Sequence, residues 1–219
     1  MKDRNAPALF GLVVYGGVEP IDIGGTVGVI SMARRVLPAI ESVTIAEMSG
    51  PVELAGGLTI LAQAGFADAP VCDVVMVCGG PGWRREAANP AMLNFLRHPP
   101  SAQVTSVCTG AMILGAAGLL DGRIATTRRS AVGSEAQSPL AELASLAPAA
   151  RGQAAAVVED GAVVTGGGVS LAIDATLYLI GNIYGDAARD EVARVIEYDR
   201  AYEANRAALG HVRAELATY

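Results

Sequence analysis

Short apolar runs alternate along the chain with stretches whose apolar positions recur at helical spacing. "ALFGLVVY" (Ala8–Tyr15), "SVTIAEM" (Ser42–Met48), "DVVMVC" (Asp73–Cys78) and "QVTSV" (Gln103–Val107) are strand-length and rich in β-branched residues. Runs this continuous suit strands covered on both faces, as in a parallel sheet. Helices are expected from about Gly24 to Val36, from Pro90 to about His98, from Thr109 to about Ala117 and from Pro139 to Leu146. Proline fits the first turn of a helix, and Pro99-Pro100 stops the second of these. A long apolar helix is expected from Val169 to about Gly185, then an amphipathic one from Ala187 to about Tyr198. Two hairpins complete the pattern, "PVELAGGLTILA" turning at Gly56-Gly57 and "AAAVVEDGAVVTGGG" turning at Asp160-Gly161.

This alternation predicts an α/β fold: a mostly parallel sheet sandwiched by helices, with right-handed crossovers. In such sheets ligands sit beyond the carboxyl ends of the strands. Three segments converge there, Tyr15 leading to Asp22, Cys78 leading to Gly79-Gly80-Pro81-Gly82, and Val107 leading to Cys108.

The composition narrows the class. A chain of 219 residues, 52% hydrophobic and 17% charged, suits one domain over 1–219 with a sizeable core and a helical C-terminal tail from about 199. A formal net charge of −6 gives a nucleic-acid partner no electrostatic support. No apolar stretch reaches the roughly 18 residues that a membrane span needs. The opening "MKDRNAPALFGLVVYGG" reads as a first core strand, because its apolar run meets Gly16-Gly17 where a signal peptide would have a cleavage site. Cys72, Cys78 and Cys108 lack metal-like spacing and suit a reducing, cytoplasmic setting.

Candidate chemistry gathers in "TSVCTGAMILGAAGLLDG" (Thr105–Gly122). Cys108 stands where a strand turns into a helix, so the helix N-terminus is expected to favour its thiolate. A buried core thiol fits the same letters. Gly79 and Gly80 would let backbone amides approach a ligand, or simply make a tight turn. Asp22, between Ile21 and Ile23, is expected to be desolvated and hence a proton shuttle, with a helix cap as the plain alternative. Glu19 is expected to face solvent. His98 is expected at helix carbonyls and His211 in the charged tail, which disfavours a Cys-His triad. Ile21, Ile23, Trp83 and Met112 are candidate pocket walls, although each also suits ordinary core.

Four blocks carry a family resemblance: "GLVVYGGVEPIDIGG", "DVVMVCGGPG", "TSVCTGAMILGAAGLLDGRIATT" and "GAVVTGGGVSLAIDATLYLI". Together they resemble the ThiJ/PfpI superfamily of the flavodoxin-like, class I glutamine amidotransferase-like fold, and within it the isonitrile hydratase branch. The resemblance implies a nucleophile elbow with Cys108 as nucleophile, Asp22 as its acid, Thr109 as a positioning residue, and Gly79 and Gly80 as an amide site. It also implies a hydro-lyase acting on a small molecule without metal or organic cofactor, in a homodimer whose sites lie near the interface. Sensor domains of AraC-type regulators share these blocks, so a ligand sensor or a redox-sensing cysteine is the rival reading. A glyoxalase-like activity ranks lower, because the histidine it uses beside the cysteine is missing. The chain departs from the branch at Thr126-Thr127-Arg128-Arg129, where Thr-Thr-His-Trp is usual, and at Thr26, where a proline usually follows the glycine. Arg128 and Arg129 read either as a solvated pair at a helix start or as a selector of anionic ligands.

Overall fold

The computed structural model describes residues 1–214 and, of Ala102, the backbone alone. The first half contributes β1 (Ala8–Val13), α1 (Pro20–Ile23), α2 (Val29–Ala33), β2 (Ile40–Ala46), β3 (Gly50–Glu53), β4 (Thr59–Ala62) and β5 (Ala64–Gly65). Next come β6 (Cys72–Val77), α3 (Trp83–Glu86), α4 (Pro90–Arg97), β7 (Ser101–Ser106), α5 (Gly110–Ala116) and β8 (Ile124–Ala125). The remainder is α6 (Pro139–Leu146), β9 (Arg151–Gly152), β10 (Val157–Asp160), β11 (Val163–Gly166), α7 (Leu171–Tyr184), α8 (Asp186–Val195), α9 (Asp199–Leu209) and β12 (His211–Arg213).

Among the described residues the continuous apolar runs become the middle of one eight-stranded sheet, ordered β12-β10-β11-β7-β6-β1-β2-β5. Every pair is parallel except the hairpin β10–β11, where two residues suffice to reverse the chain. β1 pairs with β6 from Phe10↔Val74 to Val13↔Val77, and β6 pairs with β7 up to Val77↔Ser106. Three carboxyl ends therefore stop side by side. The helices form two packed groups, α1, α2, α7 and α8 together and α3 to α6 together. Phe10, Leu12 and Met76 from the strands and Met112, Ile113 and Leu114 from α5 are fully buried between them. Close packing at these positions explains why β1, β6 and α5 carry almost no polar residues.

Several boundaries differ from the sequence expectation. The first helix starts at Pro20, and a π-helical turn, Gly24–Gly28, joins α1 to α2. This turn lets Gly25 approach α7 so closely that an added Cβ would lie 2.9 Å from Ala172 Cβ. The first hairpin forms as expected, but β3 and β4 make their own two-stranded sheet. The charged tail is helical only to Leu209; His211–Arg213 then add a parallel strand to β10. Residues 215–219, part of the expected helical tail, lie outside the described residues. Among the described residues, no helix is long and apolar enough to cross a membrane.

Candidate active site

The site begins with a backbone contortion. β7 ends at Ser106, and Cys108 takes φ 53°, a left-handed conformation rare for a residue with a side chain. Two contacts hold it there: the Cys108 N–H donates to Gly167 O (2.9 Å), and the Thr127 hydroxyl donates to Cys108 O (2.6 Å). Gly110 makes the corner possible, since any Cβ there would sit 2.1 Å from Val77 O. The thiol is thus aimed at the sheet edge but only 4% exposed.

Asp22 comes from the first turn of α1 and is fully buried. Its side chain caps nothing; Oδ2 accepts the Gly79 N–H at 2.8 Å. Among the described residues Oδ1 has no hydrogen-bond partner, and the Cys108 thiol lies on this carboxyl's side of the site. Burial, aided by the charge of Glu19, raises Asp22 to about 7, against the opposing pull of the Gly79 amide, Arg128 and the thiol. The expected desolvation is therefore present in the fold.

The thiol departs from expectation. Burial, followed by the charge of Asp22, pushes Cys108 up to about 11. The N–H groups of Val169 and Thr109 point at the sulfur and favour thiolate, as does Arg128, yet together they do not offset burial. A helix N-terminus contributes one such donor, which is too little against desolvation in a nearly closed site. Near neutral pH the Cys108–Asp22 pair holds the thiol proton, with the carboxyl poised to exchange a second.

Gly79 and Gly80 sit where the sequence places them, although their amides point elsewhere. Gly79 N–H holds Asp22, and Gly80 N–H donates to Thr109 Oγ1 at 2.9 Å. The amides facing the sulfur belong to Thr109 and Val169 instead. Side chains are barred from the double glycine: a Cβ on Gly79 would lie 2.5 Å from Thr109 N, and one on Gly80 2.5 Å from Glu19 N.

A cavity of about 400 Å³ opens onto the sulfur. Its walls include Ile21, Pro81, Trp83, Val132 and Val169, with Glu19, Arg84, Arg128 and Glu135 among them. Ile23 and Met112 belong to the core rather than to this wall, and Glu19 lines the cavity instead of facing away. Arg128 stands in irregular chain, not at a helix start, and pairs with Glu135. Arg84 lies over Trp83 and grips Glu142 with two hydrogen bonds, so both arginines are already matched to carboxylates. His98 bonds Asn94 O, and His211 packs edge-on to Tyr178 and tilted against Tyr202; neither lines the cavity. Cys72 and Cys78 are buried and free. Among the described residues, no cluster of histidine, cysteine and acidic side chains is arranged to hold a metal ion.

The sequence pattern places Val169 at the start of the long apolar helix, whereas the helix begins at Leu171 and Val169 precedes it. It also takes a positive φ, 58°, which is exceptional for a β-branched residue. The glycine run Gly166-Gly167-Gly168 before it was the available signal, since such a run permits a sharp return beside the elbow. Two residues of positive φ thus meet at one sulfur, and backbone outliers of this kind cluster at functional sites.

A parallel α/β sandwich with a strained cysteine at a strand-to-helix corner, beside a buried carboxyl, defines a class of cysteine-elbow proteins. The DJ-1/PfpI family model matches residues 11–181, and the chain belongs to the DJ-1/PfpI family. It is similar to an isonitrile hydratase from Pseudomonas putida, 32% identical over 190 residues, 86% of this chain and 77% of that protein. A ThiJ/PfpI family protein from Pseudomonas syringae shares the fold with a TM-score of 0.75 and 28% identity, covering 89% of this chain and 76% of that one. An AraC family transcriptional regulator from Pseudomonas putida matches with a TM-score of 0.70 at 19% identity, over 87% of this chain and 100% of that structure's chain.

Proposed function

We propose that the protein is a cysteine-dependent hydro-lyase that adds water to an isonitrile and releases an N-substituted formamide. The observation that carries this reading is a thiol in the wall of a largely apolar cavity, with a buried, raised carboxyl beside the thiol and no histidine among the lining residues. An isonitrile carbon must gain both a proton and a nucleophile, and this pair supplies one of each.

In the first half-reaction the ionised Asp22 takes the Cys108 proton while Sγ adds to the isonitrile carbon. Asp22 then delivers that proton to the same carbon, leaving a thioimidate with new C–S and C–H bonds. In the second half-reaction Asp22 takes a proton from water as its oxygen adds to the carbon, and passes it to the nitrogen. The C–S bond then breaks, the hydroxyl proton returns to sulfur through Asp22, and the formamide leaves. The Thr109 and Val169 amides steady the sulfur whenever it is negative. Thr109 is a positioning residue, its hydroxyl tied to Gly80.

Ile21, Pro81, Trp83 and Val169 suit an uncharged hydrophobic substituent. A redox sensor is less well supported, because sensor thiols are exposed and readily ionised, whereas Cys108 is buried and raised. We also infer a homodimer through the apolar groove of Ile21, Gly24, Gly28, Met32 and Ile173, which adjoins the site at Ile21.

Formamide production from cyclohexyl isonitrile tests the reading. Wild type should turn over, and Cys108→Ala and Asp22→Asn should each lose at least about 1000-fold, as expected when a nucleophile or its proton carrier is removed. Absence of wild-type turnover across aryl and alkyl isonitriles would overturn it.

A further inference from the structure

We infer that Arg128 is the positioning residue that supplies counter-charge to the Cys108 sulfur, and that Glu135 governs how much of that charge the sulfur receives. The inference deepens the reading above, because a thiolate is the form that attacks.

Arg128 is fixed relative to Cys108 by the backbone on both sides of it. The preceding residue, Thr127, donates its hydroxyl to the Cys108 carbonyl. The Arg128 stem packs flat on Gly168, where an added Cβ would lie 2.7 Å from Arg128 Cγ and 2.8 Å from its Cβ. Gly168 stands between Gly167, whose carbonyl accepts the Cys108 N–H, and Val169, whose N–H faces the sulfur. The arginine side chain is only 11% exposed and lines the same cavity as the thiol. Arg84, the other cation in this wall, is engaged by Glu142 and Trp83.

The guanidinium does not serve the sulfur alone. It donates to Ser130 O and to Glu135, and Glu135 also accepts the Val132 N–H. Residues 128–135 thus wrap around the guanidinium, with Glu135 and the sulfur competing for one positive charge. Both interactions are felt: Arg128 favours ionised Cys108, and Glu135 lies below its ordinary range chiefly through its bond to Arg128. Removing the carboxylate leaves the full charge to the sulfur, and removing the guanidinium leaves the sulfur facing Asp22 without a cation.

The test is the pH dependence of Cys108 alkylation by iodoacetamide, with the modified peptide identified by mass so that Cys72 and Cys78 do not contribute. Against wild type, Arg128→Gln should move the midpoint to higher pH by about one pH unit, and Glu135→Gln should move it lower by a similar amount. Arg129→Gln, a change at an exposed neighbour, should leave it in place. An unmoved midpoint in Arg128→Gln, or a midpoint moved upward in Glu135→Gln, would overturn the inference. Should Arg128→Gln fail to fold, Glu135→Gln alone decides, since it retains the arginine and alters only its competitor. Alkylation needs no isonitrile. A protein that makes no formamide but shows these shifts would refute the hydratase reading alone. One that makes formamide without them would refute this inference alone.

Discussion

Asp22 shows what a buried carboxyl costs the fold in stability. A carboxyl raised to about 7 is held in the fold against its ordinary value, so its neutral form is the one the folded state prefers. The sign follows: the folded state binds more protons than the unfolded one between about pH 4 and 7, so stability falls as pH rises through this window. Asp22→Asn should therefore raise the melting temperature at pH 8, by about 2–4 °C for each kcal/mol recovered in a chain of this size. A differential scan checks this, and the gain should shrink toward pH 4. In the proposed reaction the same group sets the pH dependence of the rate. Asp22 must be ionised to accept the thiol proton, so kcat/KM should rise through about pH 7 and hold until the thiol itself ionises near 11. A pH profile flat across neutrality would contradict that role. At this scale the sequence was informative about which residues meet and poor about their charge. The letters "PIDIG" imply desolvation of Asp22, because isoleucines flank it. "SVCTGA" implies a helix N-terminus at Cys108 but hides how little solvent reaches it, since closure depends on residues 128–135 and Val169 arriving from elsewhere.

Among elements, the corner between β7 and α5 is the most demanding piece of the fold. Val77 O lies where a side chain on Gly110 would go, and backbone cannot retreat as a flexible side chain can. Gly110→Ala should destabilise by about 2 kcal/mol through overpacking, and should displace the thiol even where the protein still folds. Chemical denaturation with an alkylation assay separates the two effects. Long apolar runs and helices opened by proline were legible because their causes are local: α4 and α6 start at Pro90 and Pro139 as the letters imply. The π-helical turn was not, because it answers a tertiary demand, the approach of Gly25 to Ala172. β12 was hidden for a similar reason. "HVR" is too short to carry a strand pattern, and it becomes one only beside Val157–Glu159 with His211 between two tyrosine rings.

For the whole molecule, strand alternation implied the parallel sheet and the shared edge, and the order β7-β6-β1 brings the three segments together. What the sequence left open was the wall opposite the thiol, built by chain distant from the elbow. One side of that region faces outward: Val169 is 39% exposed and Ile21 44%, and Ile21 adjoins Gly24 and Gly28, where nothing among the described residues lies within 4 Å of an added Cβ. Gly28→Glu should favour the helix of a monomer, since glycine is the poorer helix former, while placing a charge in the inferred dimer face. Light scattering should then report a dimer for wild type and a monomer for the variant. A wild-type monomer would contradict the interface.

The most direct test of the central claim is intact-protein mass spectrometry after rapid acid quench of enzyme mixed with excess cyclohexyl isonitrile. The account gives a species heavier by one isonitrile molecule, carried on Cys108, absent from Cys108→Ala and formed before formamide appears. Formamide released at full rate with no adduct on Cys108, or from Cys108→Ala, would contradict covalent catalysis by this cysteine.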